Sequence, residues 1–208
     1  MYHKGEHEKQ FAYEAHTVCD RHGMVLGVKV TAGNVHDSVA WDEVYEQTAR
    51  RFPEIQYVTM DAGYKQPWIA KRILEDGRLP ILPYTRPHGT RREGFMPWDF
   101  SYEEENDRLI CPQGQVLRHT TTDKGGKRTY RSTPKVCRDC PCRKECGASA
   151  NGQKVIYRHI WQDAMDAAEQ IRKTDVGKGL YAMRKQTIER VFADAKEKHA
   201  MRYTHHPS

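Results

Sequence analysis

Two kinds of residue in this 208-residue chain could do chemistry. The first is a set of thiols. Cys111 stands in "CPQGQVL", and Cys137, Cys140, Cys142 and Cys146 stand in "CRDCPCRKEC". Four thiolates make a closed tetrahedral zinc set, and a CxxC step presents two sulfurs from one turn. Cys111, Cys137, Cys140 and Cys146 fit that description. Pro141 and the one-residue gap set Cys142 aside as the spare. An iron–sulfur cluster and a set of unmetallated thiols are the alternatives. In each case the site is structural, because no coordination position is left open. Cys19 stands alone on a strand and reads as a packing residue.

The second kind is carboxylate. Asp61 ends an apolar stretch in "VTMDAGY", where a turn residue or a metal ligand presented by a strand end would sit. Glu189 lies in "KQTIERVFADAKEKH", beside the packing side made by Ile188, Val191, Phe192 and Ala195. Lys185 and Lys196 share its face of the helix. Spacing alone leaves two readings of Glu189, an ion-pair residue or a ligand.

Elements must position these groups. Residues 10–20 alternate like a strand, with Phe11, Tyr13 and Ala15 on one face. Residues 24–33 form a second strand marked by Val25, Val28 and Val30. Asp37 or Ser38 is placed to cap a helix over 39–52 whose apolar side is Val39, Val44 and Ala49. Residues 55–60 predict a strand buried on both faces, 65–76 a short helix stopped by Gly77, and 79–84 a strand that Pro80 and Pro83 push toward an edge. The order is that of a mixed α/β layer.

From residue 85 the chain is basic and broken by Pro and Gly, then reads as a small β-meander with a "DKGGK" turn. Regular helix returns at about 159 and continues through "GKGLYAMRKQTIERVFADAKEKHAMRY". This divides the chain into a core of 1–84 and 158–208 and a basic, cysteine-rich insertion of 85–157.

Net charge is +6. Residues 85–157 hold 14 Lys/Arg against 9 Asp/Glu, and 178–202 hold 7 against 3. A polyanion would therefore meet those two segments. No run of about 18 apolar residues marks a membrane span. No secretory signal opens the sequence, which favours metal over disulfides for the thiols.

Four stretches taken together, "VTAGNVHDS" (30–38), "DAGY" (61–64), "CPQGQVL…CRDCPCRKEC" and "RKQTIERVFADAKEKHAMRY", resemble the bacterial insertion-sequence transposases with a DDE catalytic domain. The resemblance is to the branch with a cysteine-rich insertion before the final glutamate. It implies an RNase H-like fold, with Asp61 as the second acidic residue of the triad and Glu189 as the third. In the broader group a Tyr, an Arg, a Glu and a Lys follow one another at fixed spacing. Glu189 and Lys196 match it, Lys185 stands at the arginine position, and Tyr181 lies one residue before the tyrosine position.

The resemblance further implies two Mg²⁺ or Mn²⁺ ions for in-line phosphoryl transfer, with Asp61 and Glu189 as ligands. Lys185 and Lys196, with Arg184 and Arg190 of the same helix, would contact DNA phosphates. Trp98, Trp161 and Tyr203 could stack on a distorted base, although a core position is the ordinary role for each. The partners would be transposon ends and target DNA, with a homodimer when full length, in the bacterial cytoplasm at the nucleoid.

The triad's first aspartate belongs to a strand that this sequence does not contain, so the chain reads as an internal fragment, inactive alone. Neither Asp20 nor Asp37 lies on that strand, and neither is expected to replace it. Three other readings remain: a non-catalytic zinc-knuckle module that binds nucleic acid, a nuclease of the same fold that does not transpose, and a transposon remnant without function.

Overall fold

The computed structural model describes residues 13–85 and 94–201. Phe11 and Tyr203, named above, lie outside the described residues. The chain divides into two compact units, one of residues 1–85 with 164–208 and one of 86–163. The architecture is mixed α/β.

The first unit opens with β1 (Tyr13–Cys19) and β2 (Val25–Ala32), paired antiparallel. Asp20 makes the turn between them, its Oδ1 accepting the amides of His22 and Met24. The expected apolar faces are not the buried ones. Tyr13, Val25, Val28 and Val30 are exposed, while His16, on the opposite face of β1, is only 2 % exposed. Helix α1 (Asp37–Arg51) follows. His36 is its N-cap, accepting from the Ser38 amide. The cap is thus one residue earlier than expected, and Asp37 falls in the first turn, where its charge suits the helix dipole. The helix buries Ala40, Trp41, Val44, Tyr45 and Thr48. Val39, expected on this side, is 70 % exposed, because the buried stripe runs one position later.

β3 (Tyr57–Thr59) and β4 (Leu79–Ile81) pair in parallel, joined by a 3-10 turn at Ala62–Tyr64 and by α2 (Pro67–Glu75). β3 is not buried on both faces, since Tyr57 is exposed. β4 shows why Pro80 is tolerated: among the described residues its strand has one neighbour, and Pro80 is packed in the core. Pro67 starts α2 where a missing N–H costs nothing, and Gly77, at φ +72°, ends it. Trp41, Tyr45, Met60, Ile69, Ile73, Leu82 and Ala168 form the core of this unit. The Trp41 and Tyr45 rings stack at 4.4 Å.

The second unit is built on a five-stranded antiparallel meander, with strands adjacent in chain order: β5 (Ser101–Glu103), β6 (Arg108–Ile110), β7 (Val116–Thr122), β8 (Lys127–Ser132) and β9 (Val155–His159). Phe100, Leu109, Leu117, Tyr130 and Ile156 form its core. In the "DKGGK" turn Asp123 Oδ1 accepts the amides of Gly125 and Lys127. Helix returns at Gln162, close to the expected 159, and β9 fills the residues just before it. "VIYRH" is a β-branched and aromatic run, and the open edge of β8 takes it, pairing Lys127 with His159 and Arg131 with Val155. The short helices α3 (Pro134–Arg138) and α4 (Arg143–Cys146) carry thiols between β8 and β9. Trp98 is not a core residue: it is 69 % exposed.

Helix α5 (Gln162–Lys173) supplies Ala168 to the first core. Helix α6 (Asp175–Lys198) is capped by Thr174, whose Oγ1 accepts the Gly177 amide. No described helix is long and apolar enough to cross a membrane.

Candidate functional site

The first unit contains a cavity of about 420 Å³. Residues 14–21 of β1 and its turn and residues 57–61 of β3 both border it as consecutive runs. Consecutive residues on a wall mean that strand edges, rather than side-chain faces, line it. Among the described residues β1 pairs only with β2 and β3 only with β4, so each keeps one backbone edge open.

Asp61 stands at the rim of this cavity. It is the N-cap of the 3-10 turn, with its Oδ1 accepting the Ala62 amide at 2.6 Å. Its other oxygen meets Arg184 Nη2 of α6 at 3.0 Å. The same guanidinium reaches Glu189 Oε1 at 4.0 Å through Nη1. One half-buried arginine thus bridges two carboxylates that are far apart in sequence, and both stay more than half exposed. Arg184, expected on phosphate, is here their counter-ion. Lys185, Arg190 and Lys196 are exposed on α6.

Three further groups crowd the same cavity. Glu14, His16 and Asp37 bring one ligand atom each to within 4.8 Å of one another, the one such group of His, Cys, Asp and Glu among the described residues. His16 is fixed on both ring nitrogens, Nδ1 to the Tyr64 hydroxyl at 2.8 Å and Nε2 to Thr31 Oγ1 at 2.9 Å. The Tyr64 phenol is pushed above its ordinary range, first by burial and then by the charges of Asp37, Glu14 and Asp61, with Arg184 opposing. It remains protonated and can donate. Gly63 explains the small residue in "DAGY". A Cβ there would lie 2.0 Å from Asp37 Oδ2, so the glycine is what lets a third carboxylate approach the turn that carries Asp61.

Sequence reasoning missed Glu14, His16 and the bridging role of Arg184. The one available signal was the polar "EAH" inside an otherwise apolar strand. Side-chain alternation puts His16 on the buried face, where a polar group needs partners.

The cysteines lie in the second unit. Cys111, Cys137, Cys140 and Cys146 line one small cavity of about 20 Å³, and Cys142 is not among its lining residues. All six cysteines are free thiols. Around Cys111 the backbone forms a tight knuckle: Gly114 N–H donates to the Cys111 carbonyl at 2.8 Å and Gln115 N–H to its Sγ at 3.3 Å. Amide donation to sulfur is what a thiolate ligand needs for charge relief. Lys154 Nζ donates to the carbonyls of Cys146 and Phe95. The Cys146 thiol is pushed up, by burial first, against the Lys154 charge, and further by the neighbouring Cys137, Cys111 and Cys140.

Residues 110–207 match the model of the family described as "Transposase DDE domain". The match takes in all five of the clustered thiols and Glu189, and begins after Asp61. No curated protein and no solved structure matches the chain.

Proposed function

We propose that this chain acts as a transposase of the DDE type, which its residues 110–207 resemble, and that Asp61 and Glu189 are metal-binding carboxylates of a site for DNA phosphoryl transfer. A domain of this family implies DNA as a partner and a divalent metal ion as cofactor. The observation that carries the residue assignment is the shared guanidinium. Arg184 lies 3.0 Å from Asp61, at the cavity rim, and 4.0 Å from Glu189 on its own helix, and both carboxylates stay exposed.

The donor set fits a hard divalent cation. Carboxylate oxygens suit Mg²⁺ or Mn²⁺, and the unprotected faces of both groups leave room for water and phosphate ligands. Asp61 and Glu189 would hold the ion. When bound, it would activate a hydroxyl nucleophile and neutralise charge on the phosphate. The chain's own residues do the remainder. Arg184 offsets carboxylate charge and keeps the pair together in the ion's absence. The Ala62 amide fixes the orientation of Asp61. Tyr64, held protonated and anchored on His16, offers a neutral donor beside the carboxylates. Lys185, Arg190 and Lys196 would contact phosphates as charges.

The finer fold reading is RNase H-like, with 85–157 as an insertion in a core of 1–84 and 158–208. Two open strand edges facing one cavity support it, because an RNase H-like sheet has a strand between the positions that β1 and β3 would occupy. That strand would supply the triad's first carboxylate. Among the described residues, Asp37 is the carboxylate packed on Gly63. The thiols Cys111, Cys137, Cys140 and Cys146 would hold a structural Zn²⁺ on drawing together, since no three of their sulfurs now lie within 4.8 Å of one another; their shared cavity and the Cys111 knuckle support the set.

The test is plasmid nicking with Mg²⁺ or Mn²⁺. Any metal-dependent cleavage should vanish in Asp61→Asn and in Glu189→Gln. Metal-dependent nicking that survives both substitutions would overturn the assignment.

A further inference from the structure

The five-stranded sheet has two faces. One carries Leu109, Leu117, Tyr130 and Ile156 into the core. The register fixes what stands on the other. Arg108 of β6 is directly opposite Arg118 of β7, and Arg118 is directly opposite Arg131 of β8. Residues opposite one another in a ladder share a face, so three arginines stand in one row across three adjacent strands, with strands spaced about 4.8 Å apart. Lys127 of β8, four residues before Arg131, is on the same face, with its Nζ 3.9 Å from the centre of the exposed Tyr157 ring. Thr129 lies between Lys127 and Arg131 on β8, opposite Thr121 of β7 and Tyr157 of β9.

Like charges directly opposite each other destabilise a sheet. Among the described strand residues, one carboxylate on this face answers them: Glu103 of β5, opposite Arg108 and paired with it. Arg118 makes no ion pair among the described residues, and Arg131 bonds to a neutral group, Gln153 Oε1 at 3.1 Å. Both are exposed. A face with four cations and one anion, carrying hydroxyls and one open ring, is complementary to a polyanion and poorly suited to an apolar partner.

We propose that this outer sheet face docks the sugar–phosphate backbone of duplex DNA, with Arg118 and Arg131 as the principal phosphate contacts and Lys127 beside them. This rests on the DNA partner named above, and goes beyond it by assigning binding to a surface of the second unit that contains neither Asp61 nor Glu189. Contacts of this kind position DNA and carry no sequence information. They also account for the row itself, since bound phosphates relieve the repulsion that the free sheet bears.

The experiment is fluorescence anisotropy of the full chain with a labelled 30-base-pair duplex of arbitrary sequence, over a salt series. In Arg118→Ala/Arg131→Ala, affinity should fall about tenfold or more at moderate salt, and the slope of log K against log salt should flatten by about 2. Arg118→Lys/Arg131→Lys should keep most of the affinity. Arg50→Ala/Arg51→Ala on α1 removes the same charge elsewhere and should change little. Circular dichroism melts should show the alanine pair at least as stable as the parent, because the like-charge row is gone. Absence of duplex binding by the parent, or equal losses in the alanine pair and the α1 control, would overturn the proposal. Neither result bears on metal binding by Asp61 and Glu189, which is read without DNA.

Discussion

Asp107 and Asp61 are each held by an arginine, and they are held very differently. Asp107, in the turn between β5 and β6, is saturated. Its Oδ1 accepts from Tyr130 at 2.6 Å, Tyr102 at 3.1 Å and Arg128 at 3.2 Å, and its other oxygen lies 3.5 Å from His119 Nδ1. Its backbone is left-handed, at φ +43°, a conformation that Asp tolerates better than most side chains. Asp61 has one local amide and one guanidinium, and that guanidinium is shared with Glu189. The first carboxylate has little capacity left and ties four side chains into the second unit. The second keeps open lone pairs toward solvent. A saturated carboxylate contributes to stability, whereas an unsaturated one beside a second carboxylate is available to a cation.

The largest effect expected from this contrast is on folding. Asp107→Ala leaves two phenols and a guanidinium without their acceptor, and should destabilise the second unit by about 2 to 3 kcal/mol. Hydrogen exchange at the β7 and β8 amides would read it. Asp61→Ala should cost less than about 0.5 kcal/mol, since it removes only an exposed pair and a local cap bond. Equal costs at the two positions would break the comparison.

Next comes Gly63→Ala. Its Cβ cannot coexist with Asp37 where that carboxylate now stands, so either the turn or Asp37 must move, at about 1 to 2 kcal/mol. A urea midpoint unchanged by this substitution would show that Asp37 is not held against the turn. Tyr130→Phe should cost about 1.5 kcal/mol, the loss of one hydroxyl bond to a charged acceptor.

The smallest effect is in pH. Burial works to raise the Asp107 carboxyl, but the hydrogen bonds from Tyr130 and Tyr102 and the charges of Arg128 and His119 outweigh it and hold the group below its ordinary 3.8. A depressed carboxyl contributes stability that is fully present above 3.8 and is lost as pH falls through the lower folded value. Asp107→Asn should therefore flatten the acid limb of the stability curve below about pH 4. An identical limb in the two proteins would refute that role.

Much of the fold was legible because it rests on local signals. Pro67 and Gly77 bracket α2, "DKGGK" makes its hairpin, and "CRDCPCRKEC" announces a thiol cluster. What could not be read is what depends on pairing. Val25, Val28 and Val30 look like a buried face, yet the sheet turns His16 inward instead, a choice made by what packs on it. "VIYRH" became a strand because β8 had an open edge. At the candidate site, Asp61 and Glu189 could be named from motif and spacing. Arg184 between them could not, because Asp61 reaches it from an element distant in sequence. The row Arg108, Arg118 and Arg131 was equally invisible, since only the ladder register places three separate arginines side by side.

If Asp61 and Glu189 form a cation site, Mn²⁺ binding to the full chain will show it, followed by electron paramagnetic resonance of the free ion without DNA. The parent should remove Mn²⁺ from solution, Mg²⁺ should compete, and Asp61→Asn and Glu189→Gln should each abolish the uptake while leaving the melting curve unchanged. Uptake that persists unaltered in both variants would show that the cation binds elsewhere.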